Sequence, residues 1–160
     1  MMTAVADFDA FYRSTKDGCY RALLAIAGDD AADLLAEAYT RAWKRWTSLA
    51  QHPAPAAWVM RTAINLHRDR HRRQRFLRRV VRQVDHVDPP SPPVDREVLA
   101  ALLALPVRQR EVVALRILLD LDTAQTADLL GIAPNTVKVH LHRALSKLRS
   151  LLVLEPEEYR

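Results

Sequence analysis

Glycine is scarce in this 160-residue chain, with only Gly18, Gly28 and Gly131. That excludes the glycine-rich phosphate loops of dinucleotide-binding and P-loop proteins, which need several glycines within one short turn. A single cysteine, Cys19, excludes both a disulfide framework and a cysteine-built zinc site. Aromatic residues make up 6% of the chain while 49% is hydrophobic, so the apolar content lies in Ala, Leu and Val rather than in aromatic strand formers. No apolar run approaches the roughly 18 residues of a membrane span, and Met1 to Asp9 lacks the charged-then-apolar order of a signal peptide. These absences lead to the expectation of a cytoplasmic, all-α protein without membrane insertion. What is plentiful is positive charge: 24 Lys plus Arg against 19 Asp plus Glu, a formal net charge of +5.

Four prolines fall within the five residues Pro89-Pro90-Ser91-Pro92-Pro93. Proline has no amide donor and pushes the residue before it out of the helical region, so no helix crosses this stretch. Residues 86–96 therefore read as a semi-rigid linker; at about 3.1 Å per residue, its ten positions from His86 to Asp95 span roughly 30 Å. The linker separates a small helical domain, 1–85, from a second one, 97–160.

In the first domain, Phe8, Phe11, Tyr12, Leu23 and Leu24 recur at helical spacing up to Gly28. Asp29 and Asp30 are candidate caps for a second helix carrying Leu34, Leu35, Ala38, Tyr39, Ala42, Trp43 and Trp46. Pro53 and Pro55 interrupt it. A third helix is expected from about Ala56 to Val84, its apolar opening formed by Trp58, Val59, Thr62, Ala63 and Leu66. In the second domain, Val98–Leu105 and Val107–Leu119 read as helices. Asp122 followed by Gln125 has the form of a capping box for a two-turn helix, Thr123 to Leu130, that stops at Gly131. Pro134 then opens a helix reaching about Val153.

Short helix, glycine turn and proline-started helix together make a helix-turn-helix. Ala127 is small where the helices cross closely, and Leu130, Ile132, Val137 and Leu141 are expected to fill the wedge between them. Asn135, Thr136, Lys138, Val139, His140, His142 and Arg143 then project from the second helix toward a major groove. Lys and Arg match guanine acceptors, and Asn matches adenine. A hairpin that binds protein instead of DNA would not need the four basic and no acidic residues between Thr136 and Arg149.

The segment from Arg61 to Arg82 holds nine arginines and one acid, Asp69. Such a density repels itself unless a polyanion is near, and phosphate neutralisation with counterion release is its natural use. That every cation is arginine favours phosphate forks over a merely solvated face. Trp58 and Asn65 precede the run, and an aromatic and an amide beside a cationic track suit unstacked single-stranded bases. Trp58 serves either that purpose or the core. Asp33, Glu37 and Arg41 form an i, i+4 ladder that, by itself, is an exposed face.

The six histidines do not make a metal site. His67 and His71 lie among arginines that repel a cation, and His140 and His142, two apart on a helix, point in different directions. No serine, cysteine or carboxylate pair stands beside a base, so neither enzyme activity nor a cofactor is expected. A helix-turn-helix regulator acting alone is the alternative reading; the second arginine-rich domain and the proline linker argue against it.

Four motifs in order, Asp33-Leu-Leu-Ala-Glu-Ala-Tyr-Thr-Arg-Ala-Trp43, Ala57-Trp-Val-Met-Arg-Thr-Ala-Ile-Asn65, Leu105-Pro-Val-Arg-Gln-Arg-Glu111 and Gly131-Ile-Ala-Pro-Asn-Thr-Val-Lys138 through Leu141-His-Arg-Ala144, resemble the extracytoplasmic function (ECF) sigma factors of the bacterial sigma-70 family. The small size and the wording Ala42-Trp-Lys-Arg-Trp46 are most similar to the actinobacterial SigE-like group. The resemblance implies region 2 over residues 7–84 and region 4 over 97–152. It implies binding to core RNA polymerase, with Asp33, Leu34, Glu37 and Arg41 on the clamp helices of the largest subunit and the first helices of region 4 on the flap. It implies recognition of the −10 promoter element by Asn65 on a flipped base, with Trp58, Arg61, Arg68, Arg72 and Arg73 around it. The −35 element falls to Asn135, Thr136, Lys138, His140, His142 and Arg143. An anti-sigma factor is a further partner that the resemblance allows. The family usually carries Gly where Asp120 stands and a large aliphatic where Thr126 stands.

Overall fold

A computed structural model describes residues 2–77 and 95–152, and every element among them is helical. The chain divides into two compact units, Met1–Ser91 and Pro92–Arg160. The proline linker itself lies outside the described residues. No described helix is long and apolar enough to cross a membrane.

The first unit packs helices α1 (Met2–Ala27), α2 (Ala31–Lys44), the single turn α3 (Trp46–Leu49) and α4 (Pro55–Leu77). Helix α1 ends where Gly28 turns to φ +59°, a left-handed conformation that glycine adopts without strain. The expected aspartate caps are not made. Gly28–Asp30 forms one 3-10 turn, and Asp30 accepts no bond from the amides of α2. Its carboxylate instead receives Arg70 Nη1 at 3.1 Å, tying α2 to α4. An ion pair across the bundle thus replaces a local cap.

Helix α2 is also shorter than its apolar repeat implies, because the backbone breaks at Arg45 (φ −114°, ψ 11°). Trp46 therefore belongs to α3 and is buried, whereas Trp43 is 44% exposed rather than a core residue. Trp46 stacks on Phe11 (ring centroids 4.8 Å) and meets Phe8 edge-on at 5.2 Å. Tyr39 lies edge-on to Tyr12 at 4.9 Å, and its hydroxyl bonds Thr15 at 2.8 Å. These rings join α1 to α2 and α3. Cys19 is fully buried beneath them, and burial pushes its thiol above the ordinary cysteine value.

Helix α4 buries Val59, Met60, Ala63, Ile64 and His67 against α1 and α2. The expected stripe is therefore rotated: Val59 and Ala63 are in the core, but Trp58, Thr62 and Leu66 are only half-buried at its edge. The stretch of this helix expected beyond Leu77 lies outside the described residues.

The second unit contains α5 (Arg96–Leu103), α6 (Val107–Val113), α7 (Thr123–Leu130) and α8 (Pro134–Leu151). Asp95 caps α5 by accepting from the Glu97 amide at 2.9 Å. Helix α6 continues through one π turn, Ala114–Leu118, and the chain then reverses at Asp120 (φ +53°). The capping box forms as its spacing predicts: the Gln125 amide donates to Asp122 at 2.7 Å, and the Asp122 amide to the Gln125 side chain at 2.9 Å. Gly131 closes α7 at φ +66°, and the Ile132 amide reaches back to the Ala127 carbonyl at 3.1 Å. Ala127, Leu130, Val137 and Ala144 are buried, while Ile132 and Leu141 are half-buried at the margin of the wedge. Two polar residues are fully enclosed. Glu111 receives Arg108 Nη1 at 3.2 Å. Thr126 is fully buried and its hydroxyl has no hydrogen-bond partner among the described residues.

Candidate nucleic-acid interface

A groove of about 480 Å³ opens between the end of α2 and the outer face of α4. Trp58, Thr62, Asn65, Leu66 and Asp69 form one wall, the side of α4 adjacent to its buried stripe. Arg41, Lys44 and Arg45 form the other, three basic residues at the end of α2 and in the break that follows it. Trp58 and Asn65, both expected at a DNA site, are thus brought together. The Thr62 hydroxyl donates to the Trp58 carbonyl at 2.9 Å, and so bonds to its own helix. The Asn65 side chain is exposed and makes no hydrogen bond to the described residues.

The arginine track continues along α4 from this groove. Arg61, Arg72 and Arg73 are exposed and Arg68 is half-buried. Arg72 Nη2 bonds Asp69 Oδ1 at 3.0 Å. Arg70 faces inward to Asp30 and is part of the bundle's own cross-brace. Within the track, His67 is 4% exposed and meets the His71 ring edge-on at 4.7 Å.

On the exposed edge of α2, Arg41 Nε bonds Glu37 Oε1 at 2.9 Å, and Asp33 stands exposed one turn earlier. Leu34, expected on the same partner surface, is only 2% exposed and belongs to the core. The apolar repeat of the second helix had placed it inward, and only the resemblance set it on a partner surface. Sequence reasoning also missed Lys44 and Arg45 as groove residues. Their signal was the i, i+3, i+4 spacing with Arg41.

On α8, Asn135, Lys138, His142 and Arg143 are exposed and Val139 lies among them. Thr136 and His140 do not project freely as expected. Both are half-buried on the flank of the buried edge at Val137 and Ala144, and the His140 Nδ1 atom is enclosed without a hydrogen-bond partner among the described residues. Helical phase accounts for this, since His140 precedes Ala144 by one turn.

Residues 11–77 match the family model described as sigma-70 region 2, and residues 95–148 match sigma-70, region 4. Over 163 aligned residues the chain is 32% identical to the RNA polymerase sigma-E factor of Streptomyces coelicolor, covering 95% of this chain and 89% of that protein. This chain belongs to the ECF sigma factors of the sigma-70 family. The ECF RNA polymerase sigma factor SigL of Mycobacterium tuberculosis is 34% identical over 145 residues, covering 83% of this chain and 81% of that protein. Two solved chains share its fold. One is the sigma factor RpoE of Bartonella quintana, crystallised with the anti-sigma factor NepR, at TM-score 0.79 and 21% identity over 94% of this chain and 99% of that one. The other is CnrH, solved with the cytosolic domain of CnrY, at TM-score 0.62 and 21% identity over 93% of this chain and 89% of that one. The groove and arginine track of this sigma factor thus lie in region 2, and its helix-turn-helix lies in region 4.

Proposed function

We propose that this sigma factor binds core RNA polymerase and directs promoter-specific initiation, region 2 taking the −10 element and region 4 the −35 element. The observation that carries the reading is the groove that joins Trp58 and Asn65 beside the arginine track of α4, on a chain that also bears a helix-turn-helix. An aromatic ring and a free amide in a cationic groove suit an unpaired base, with Arg61, Arg68, Arg72 and Arg73 along the backbone. Asn135, Lys138, His142 and Arg143 suit a major groove, with Thr136 and His140 at its margin. The exposed edge of α2, at Asp33, Glu37 and Arg41, is the surface for the polymerase clamp helices, and the first helices of region 4 meet the flap. Each unit alone binds DNA weakly. Joined through the linker and the polymerase, the second contact becomes effectively intramolecular.

The protein performs no covalent chemistry and works in the cytoplasm. Promoter opening is driven by capture of unstacked bases, whose unstacking costs a few kcal/mol. An anti-sigma factor is a further partner, in keeping with the complex in which a protein of this fold, RpoE, was solved. The test is transcription in vitro with sigma-free core polymerase, fragmented host DNA and sequencing of RNA 5′ ends. Discrete starts sharing two upstream elements, reduced roughly 5- to 150-fold by Asn65→Ala, are expected from a lost base contact of about 1–3 kcal/mol. No new starts, with specific duplexes shifted by the free protein, would establish a regulator that acts without polymerase.

A further inference from the structure

Helix α8 presents one apolar side chain where its exposed neighbours are polar. Val139 is 39% exposed and stands two residues past the buried Val137, roughly 200° around the helix and so on its opposite side. Asn135 lies one turn before it, and His142 and Arg143 one turn after, all three exposed. Lys138, also exposed, precedes it. Val139 thus lies outside the core and at the centre of the face proposed above for DNA. A lone exposed valine needs no explanation on an ordinary surface. On this face it has a consequence, because a base edge pressed against an isopropyl group must leave no donor or acceptor unpaired there. β-Branching also holds a helical valine in essentially one χ1 rotamer, so its methyl groups are fixed to the backbone before DNA arrives.

We propose that Val139 reads the C5-methyl group of one pyrimidine in the −35 element, so that thymine, or cytosine methylated at C5, is preferred at that position. Among the features that distinguish base pairs in the major groove, the thymine methyl alone is apolar; the rest donate or accept hydrogen bonds. A purine at the same place turns its N7 acceptor toward a side chain that cannot donate. Unmethylated cytosine offers only a hydrogen at C5, so the contact is lost without a clash. A methyl group on that carbon occupies the place of the thymine methyl and restores it. The polar neighbours complete the pattern, since Asn135, Lys138 and Arg143 supply donors for adjoining pairs and phosphates. Arg143 follows by four residues, about 6 Å along the helix, so the methylated pyrimidine lies within about two base pairs of the one that Arg143 meets. What Val139 recognises is therefore a methyl group and not a base as such.

The proposal rests on the −35 role of region 4 stated above, and the test separates the two. Holoenzyme reconstituted from core polymerase and the full chain is given synthetic promoters at limiting concentration, and transcript yield is measured. Each thymine of the −35 element is replaced in turn by uracil, which keeps the pairing and deletes only the methyl group. At one position the yield is expected to fall about four-fold, the effect of losing one buried methyl. At that position 5-methylcytosine is expected to exceed cytosine by a similar factor. Val139→Ala, an exposed change to a better helix former, is expected to reduce the thymine-to-uracil ratio to less than about two-fold there. A ratio that survives Val139→Ala would overturn the proposal, because the methyl group would then act through the shape of the DNA. So would 5-methylcytosine no better than cytosine, or a −35 element in which no uracil substitution matters. If Arg143→Ala still weakens −35 recognition in those cases, only this inference falls. If randomising the −35 element changes nothing, with or without Arg143, the −35 role of region 4 falls with it.

Discussion

Two basic helices, α4 and α8, carry the residues proposed above for DNA, and they present them with opposite shapes. On α4, Trp58, Asn65 and Asp69 line a groove whose other wall is supplied by the end of α2. On α8, Asn135, Lys138, His142 and Arg143 stand on the exposed side of a helix whose opposite edge, at Val137 and Ala144, is buried. A recess admits a base only after it has left the stack, while a ridge reaches the edges of bases that remain paired. The difference teaches that one kind of side chain, a basic residue beside an amide, suits either state of DNA in the proposed function. What selects the state is the shape of the element that presents it.

The supports differ as well. The groove is held by packing between distant helices: rings from α1 against α2 and α3, and the Arg70–Asp30 pair between α4 and the start of α2. The ridge is held by short-range turn chemistry, namely the Asp122–Gln125 capping box, Gly131 in the left-handed region and Pro134 at the helix start. A change confined to one face should therefore leave the other intact.

The largest expected effect on the ridge is that of Arg143→Ala. It should cost about 1–3 kcal/mol at the −35 duplex and relax preference there, without changing the base preference in the −10 element. Holoenzyme titration on paired promoter libraries measures both, and a parallel change in the −10 preference would break the division between recess and ridge. A smaller effect is expected beneath the ridge. Thr126→Val replaces a fully buried hydroxyl that lacks a partner with a methyl group of the same shape, and should stabilise region 4 by about 1 kcal/mol. For a unit of this size that raises the melting midpoint by roughly 4–8 °C, and a thermal scan that shows no rise would mean the hydroxyl is satisfied. The smallest concerns the turn before α7. Asp120 sits at φ +53°, where glycine is free of strain, so Asp120→Gly should stabilise by about 0.5 kcal/mol. Denaturant unfolding can resolve it, and destabilisation would show that the Asp120 side chain contributes more than its backbone costs.

Much of this molecule was legible because its signals are local. The helical class, the turn at Gly28 and the whole helix-turn-helix from Asp122 to Pro134 follow from caps, glycines and prolines that act within one turn of where they stand. The departures from the family at Asp120 and Thr126 were equally visible as residues, and their physical meaning came with a backbone angle and an unpaired hydroxyl. The positions whose exposure differs from the expected projection share one cause. Trp43, Thr136 and His140 lie near the boundary between the inner and outer faces of their helices, where a rotation of a few tens of degrees moves a side chain between core and solvent. Asp29 and Asp30 looked like caps because aspartate before a helix usually is one, but Arg70, forty residues away, competes for the Asp30 carboxylate and wins.

By itself, then, the sequence determined which segments are helices, where most of them stop, and that two stretches carry an unusual density of phosphate-binding charge. Those properties depend on backbone preference and composition, which each residue carries wherever the chain goes. Only the tertiary structure decided that Lys44 and Arg45 stand across a groove from Trp58, Asn65 and Asp69, and that Leu34 is withheld from the surface beside them. Those relations depend on the rotational phase at which α2 packs against α4. That phase is set by the buried faces of both helices together, so neither segment contains it alone.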